Sequence, residues 1–175
     1  MDQQIDQIVN EAPPAQDHHH VQAPRDALDT QEDLIRDAVL RTVQWQNDPL
    51  SEELGVPLRL KLENLQRTGS FKLRGAFNKL LTMTDKERVA GGVAASSGNH
   101  GAAVAYAMAK LGINGIIFVP EKTSTAKVDA IRRYGGEVRF FGTDGLDTEI
   151  HARQYAADHG MTYLSPYNDA AVIAG

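Results

Sequence analysis

Cysteine is absent from the 175 residues. Disulfides, thiolate nucleophiles and cysteine-ligated metals are therefore excluded. Aromatic residues make up only 6%, with one tryptophan, but the 42% hydrophobic content is that of an ordinary globular chain. No apolar run approaches the roughly 18 residues that a membrane-crossing helix needs. The first residues lack the basic, apolar and small-residue succession of a secretory signal. An excess of positive charge is lacking as well. The formal net charge is −5, and residues 1–30 carry all of it, because Arg25 alone opposes six acidic side chains there. With no basic stripe to track a phosphate backbone, nucleic acid is not an expected partner. The expectation is a cytoplasmic protein with neither membrane nor nucleic-acid partners.

What is present divides into a polar start and a regular remainder. Residues 1–29 are rich in Gln, Asp, Pro and Ala and read as a disordered acidic tail. His18, His19 and His20 cannot all face one site in regular structure, and no metal site is predicted. Thr30-Gln31-Glu32-Asp33 resembles a capping box and predicts a helix over 31–41. Residues 43–56 are expected to be irregular, with Asn47-Asp48-Pro49 as turn chemistry and Ser51 as a possible cap. Pro57–Leu62 alternates with period two and predicts a strand. From there helices alternate with short apolar strands. Helices are predicted over 70–81, 99–111, 125–134 and 146–159, and strands over 92–95, 115–119, 138–141 and 161–164. This order predicts an α/β fold whose mostly parallel sheet is covered on both faces. Asp169–Gly175 reads as the first turn of a further helix, and the chain as a truncated product.

Two stretches carry chemistry. In Glu63–Leu73, a Thr68-Gly69-Ser70 turn puts Lys72 where a helix begins. A helix N-terminus carries about half a positive charge, which disfavours a protonated amine and raises the share of neutral, nucleophilic amine. A lysine at such a junction is more often a solvated side chain. The second stretch, Ser96-Ser97-Gly98-Asn99-His100-Gly101, leaves a strand and opens a helix. Free backbone N–H groups and the positive dipole end favour an anion there. The competing reading is a helix capped by Ser97 or Asn99. Both stretches follow strand ends, where ligands of open α/β sheets gather.

These residues also carry a resemblance. Lys61–Gln66 followed by Thr68–Ala76 resembles the cofactor-lysine motif of serine/threonine dehydratases, and Ser96–Gly101 resembles the substrate-carboxylate loop of the same family. The resemblance covers about residues 31–175 and implies the three-layer fold type II architecture of pyridoxal-phosphate enzymes. It divides the chain into a first part of the large cofactor domain (30–90), a small α/β domain (91–165) and the start of the remaining large domain (166–175). It implies that pyridoxal 5'-phosphate is bound covalently by Lys72, which then acts as general base at Cα. Phe71 lies against the cofactor ring in this scheme, and Asn99 bonds its hydroxyl. Ser96, Ser97, Gly98, Asn99 and His100 hold the carboxylate of an amino-acid substrate. Ser97 matches the residue that handles a proton on the opposite ring face in racemases.

The implied reaction is β-elimination of water from L-serine or L-threonine, giving a 2-oxo acid and ammonia, by a homo-oligomer when full length. Thr42-Val43 and Ala103 depart from the family pattern of Thr-Pro and glutamine. The phosphate-binding loop and any cation site of the family fall beyond the match. Serine racemisation, and a non-catalytic fragment or interaction module, remain open at this point.

Overall fold

The computed structural model describes residues 31–175. The predicted tail, His18–His20 and Thr30 lie outside the described residues.

The helix α1 (Gln31–Ala38) ends three residues before the predicted boundary. The buried side chain of Gln66 meets the chain just beyond it, donating to Leu40 O at 2.7 Å and accepting from Leu40 N at 3.0 Å. One amide side chain thus substitutes for the backbone partners that a helix end lacks.

Residues 43–56, expected to be irregular, are not. They form β1 (Gln44–Gln46) and α2 (Asp48–Leu54). Asn47, not Ser51, caps α2, accepting from Leu50 N at 3.0 Å, and Pro49 sits in the first turn. Ser51 instead bridges Asn47 O and Leu58 N. β1 pairs antiparallel with β2 (Arg59–Lys61) as a separate two-stranded sheet.

The helix α3 (Lys72–Leu81) follows a 3-10 turn at Glu63–Leu65. Leu73, Ala76, Phe77 and Leu80 recur at helical spacing and are all essentially fully buried. Burying each of the large ones contributes about 1.5–3 kcal/mol, and this burial fixes which face of α3 turns inward. The short helix α4 (Asp85–Ala90) begins with a capping box between Thr84 and Glu87.

Four parallel strands follow, β3 (Gly92–Ala95), β4 (Gly115–Val119), β5 (Glu137–Phe140) and β6 (Thr162–Tyr163), in the order β5-β4-β3-β6. α5 (Asn99–Leu111), α6 (Thr125–Arg133) and α7 (Gly145–Asp158) connect them. The two faces separate by strand alternation. Ala94, Ile117 and Val119 enter the core shared with α3, α5 and α6. Val93, Ile116 and Phe118 pack with Ala152 and Ala156 of α7. The sheet is thus covered on both faces. α7 carries the chain from β5 back past β4 and β3 to place β6 beside β3.

The last helix, α8 (Ala170–Ala174), is capped by Asp169 and lies against α3. Asn78 Nδ2 donates to Ala171 O at 2.7 Å, and Lys79 pairs with Asp169 at 2.9 Å. Gly75 has no room for a side chain, because a Cβ there would collide with the Val172 carbonyl.

Candidate active site

The loops leaving the C-terminal ends of the parallel strands surround a cavity of about 490 Å³. After β3 come Ser96–His100, after β4 Pro120, after β5 the start of α7, and after β6 Pro166 and Tyr167. Lys72 closes it from α3. The gathering of strand-end loops around one cavity is what a parallel α/β sheet predicts for a ligand site.

Lys72 is the first residue of α3, immediately after the turn in which Gly69 takes φ +73°. A left-handed backbone at that position suits glycine and strains other residues. No side chain caps α3. The Lys72 amine donates to Pro166 O at 3.0 Å and lies 5.2 Å from the Phe71 ring centroid and 6.0 Å from that of Tyr167. Lys72 also lines a smaller cavity of about 260 Å³ with Phe71, Gly75, Pro166 and Val172. The lysine therefore forms part of the wall between two spaces. Phe71, 60% exposed, belongs to the smaller one alone. Among the described residues the buried hydroxyls of Thr68 and Ser70 have no partner.

Ser96, Ser97, Gly98, Asn99 and His100 all line the larger cavity with Lys72. Neither Ser97 nor Asn99 caps α5, because the N-cap residue is Gly98 and no side chain bonds the first turn. The only side-chain bond of this loop to its own backbone runs from Gly98 N to Ser96 Oγ at 3.2 Å. The α5 N–H groups and the polar side chains around them thus remain available for an anion. Gly101 lets α5 start close against the strand end, because a Cβ there would strike the Ser96 carbonyl.

His100 is buried, and its Nε2 lies 3.0 Å from Leu164 O. A carbonyl only accepts, so Nε2 carries the hydrogen and Nδ1, which is buried without a partner, is the bare nitrogen. Burial pushes the imidazole below its ordinary pKa, and the nearby Lys72 charge adds to this, while the Leu164 bond opposes it. The ring is neutral near pH 7.

Glu63 anchors the base of the lysine turn. It accepts from Arg74 Nε at 3.0 Å and Arg74 Nη2 at 2.8 Å, and also from Thr42 Oγ1. These bonds, Arg74's first, bring its carboxyl down to about 2 against the cost of burial.

Several participants do not stand out in the sequence. Pro166, Tyr167 and Glu149 line the larger cavity. Their signal is positional, since each falls just past a strand or at the start of the helix after one. Ala103, one of the departures from the family pattern, is fully buried in the core and lines neither cavity described here. His151 is half-buried. Its ring stacks on Phe141 at 3.6 Å and meets Phe118 edge-on at 4.9 Å. His159 is exposed and stacks on Tyr155. Among the described residues no group of three or more His, Asp or Glu forms a metal cluster, and no helix is long and apolar enough to cross a membrane.

The chain matches, over residues 35–175, the family described as pyridoxal-phosphate dependent enzyme, and it belongs to that family. It is 39% identical over 153 residues to the L-threonine ammonia-lyase of Geobacter sulfurreducens, a match covering 87% of this chain and 38% of that protein. It superposes on the processed form of threonine deaminase isoform 2 from Solanum lycopersicum with a TM-score of 0.76 and 33% identity, covering 87% of this chain and 46% of that one. Serine racemase from Dictyostelium discoideum gives a TM-score of 0.74 and 34% identity, covering 83% and 47%. The chain thus spans less than half the length of the relatives it matches. Its α/β architecture with a parallel sheet is that of the fold type II pyridoxal-phosphate enzymes.

The residues present fit the family's cofactor. An aldehyde needs an accessible amine, and Lys72 offers one whose recorded hydrogen bond goes only to a carbonyl. A flat aromatic ring needs an apolar surface, and the exposed Phe71 ring supplies one within 5.2 Å of that amine.

Proposed function

We propose that the whole protein is a pyridoxal-phosphate-dependent ammonia-lyase that eliminates water from L-threonine or L-serine and, on hydrolysis of the product, releases ammonia and a 2-oxo acid. The single observation that carries this reading is geometric. One cavity holds both the Lys72 amine and the uncapped start of α5. An amino acid bound there would have its carboxylate on the helix N-terminus and its α-carbon toward the lysine.

In this reading Lys72 attaches the cofactor. Phe71 offers its ring as an apolar face, and Asn99 donates to the cofactor's hydroxyl. Bound pyridoxal phosphate supplies a sink for the electrons left when the Cα proton is removed. The unprotonated Lys72 amine accepts that proton as general base. Ser96, Ser97 and Asn99, with the backbone N–H groups at the start of α5, His100's among them, orient the carboxylate. Holding the substrate in one geometry lowers the entropic part of the barrier. Neutral His100, fixed through Leu164 O, adds no charge that would compete with the helix end for the carboxylate. The β-hydroxyl departs as water, and the nitrogen leaves as ammonia on hydrolysis.

The same reading groups residues 91–165 as the small domain and 30–90 with 166–175 as parts of the large one, and the packing of α8 on α3 supports this grouping. A cytoplasmic homo-oligomer belongs to it as well. Val43, Trp45, Leu54 and Val56 are exposed apolar residues that such an assembly has available to bury.

Borohydride trapping with pyridoxal phosphate tests the reading. The expected result is labelling of Lys72 in preference to the other lysines, with loss of the visible band of lysine-bound cofactor in Lys72→Ala. Labelling spread evenly over surface lysines would overturn it. Racemisation is the second reading, favoured by the presence of Ser97 in the same cavity as Lys72. The ratio of 2-oxo acid to D-serine released by the whole protein separates the two.

A further inference from the structure

The larger cavity contains one acidic side chain among its lining residues, and the proposed chemistry does not use it. Glu149 stands in the first half of α7 and lines the cavity with Lys72 and the Ser96–His100 loop. Its side chain is 24% exposed. Arg153, one turn further on, donates to it twice, from Nε at 3.0 Å and from Nη2 at 2.7 Å, and both bonds fall on Oε1. The arrangement is therefore not a fork-to-fork pair, in which each carboxylate oxygen would take one donor. Among the described residues Oε2 keeps its acceptor capacity. Arg153 is itself held in place, because its guanidinium lies 4.3 Å from the centroid of the Tyr163 ring. That contact restrains the arginine that bonds Oε1.

The polarity of the cavity then follows from its walls. The α5 N-terminus and Lys72 make one part positive, which suits the α-carboxylate of a substrate. Glu149 comes from a different helix and makes another part negative. A substrate with a hydroxyl on its side chain can donate to Oε2. A substrate with a second carboxylate meets a like charge there, and the repulsion counts against it. Discrimination by an unfavourable contact is as effective as discrimination by an added one.

We propose that Glu149 is a specificity-determining residue of this cavity, selecting amino acids with a neutral hydroxylated side chain and rejecting those with a side-chain carboxylate. The proposal rests on the cavity being the amino-acid site, as set out under the proposed function. Glu149 acts on which substrate is held, and it needs no part in moving the Cα proton.

The test is binding to the whole protein loaded with pyridoxal phosphate, read from the cofactor's absorbance change within the first turnover after rapid mixing with L-serine or with L-aspartate. In the unchanged protein L-aspartate binds more weakly. Glu149→Gln keeps the shape and removes the charge, and is expected to shrink the aspartate-to-serine ratio of dissociation constants by about tenfold. Arg153→Gln breaks the same ion pair but leaves the carboxylate without its neutralising partner, and is expected to enlarge the ratio rather than shrink it. If both variants shift the ratio equally, or Glu149→Gln leaves it unchanged while the cofactor band is intact, the proposal fails and the lyase reading stands. If Lys72 carries no cofactor band at all, the lyase reading fails and takes the proposal with it.

Discussion

Lys72 and His100 sit on different helices and are joined through one short turn. The Lys72 amine donates to Pro166 O at 3.0 Å, and His100 Nε2 donates to Leu164 O at 3.0 Å. Two carbonyls of the chain leaving β6 thus hold the lysine of α3 and the histidine of α5 at the same cavity. Ser165, between them, accepts from Asn168 N at 3.1 Å and stiffens the turn. A change in this turn would be felt at both side chains.

His100 provides a direct check. Its imidazole, depressed by burial, is expected to titrate below the ordinary value of 6.5 and to show the Nε2–H tautomer in nitrogen NMR. The sign for stability follows from linkage. Below pH 6.5 the unfolded chain binds a proton that the folded chain refuses, so stability falls as pH drops from 6.5 toward the folded value. His100→Gln should flatten that part of the pH–stability curve. An ordinary titration near 6.5 would contradict the buried placement.

Glu63 sets a second, lower window. Its carboxyl stands at about 2 in the folded chain against 4.5 when free. The stabilisation is complete above about pH 4.5 and is lost as pH falls through about 2. Its size is on the order of 2–3 kcal/mol at neutral pH. Urea midpoints of the protein and of Glu63→Gln should differ most near pH 6 and converge toward pH 2. A gap that stays constant with pH would mean the pair with Arg74 is not the cause.

Gly75→Ala should cost about 1–3 kcal/mol, the usual range for overpacking a filled site. The new Cβ meets the Val172 carbonyl, so the strain falls between α3 and α8. Thermal unfolding measures the loss. Val172→Ala would not relieve it, because the obstacle is main chain.

Gly101→Ala should act on the loop. Its Cβ would displace the Ser96 carbonyl at the mouth of the cavity. Anion affinity, measured with malonate on the cofactor-loaded whole protein, is expected to fall by more than tenfold, on the order of 1.4 kcal/mol. An unchanged affinity would argue that the α5 start does not hold the carboxylate.

Much of this was legible in the sequence, for reasons that differ by element. β3, β4 and α5 have the boundaries that their apolar runs and flanking Gly or Pro imply, because a strand buried on both faces leaves little room for polar side chains. Residues 43–56 gave no such signal. Gln44-Trp45-Gln46 has no apolar alternation and is a strand only because β2 pairs with it. α2 and α4 contain no buried residue, so no periodic stripe reveals them. α4 did carry a local signature in Thr84 and Glu87, a capping box that was there to be read. At the cavity, Lys72 and the Ser96–His100 loop could be found because each announces a strand-to-helix junction. Glu149 and Tyr167 carry only a positional hint, since the crossing of α7 and the return of β6 are what bring them there.

The strand order has a consequence for how the protein comes to be made. Within its sheet β6 is synthesised last among the described strands, yet it pairs with β3, the first of them. The bond from Lys72 to Pro166 spans 94 residues, and that from His100 to Leu164 spans 64. Contacts so distant in sequence must wait for the intervening chain and form slowly. On the ribosome, a nascent chain that has already exposed Lys72, β3 and α5 holds none of the carbonyls that position its lysine and histidine. The cavity can therefore close only after residues 164–166 have emerged.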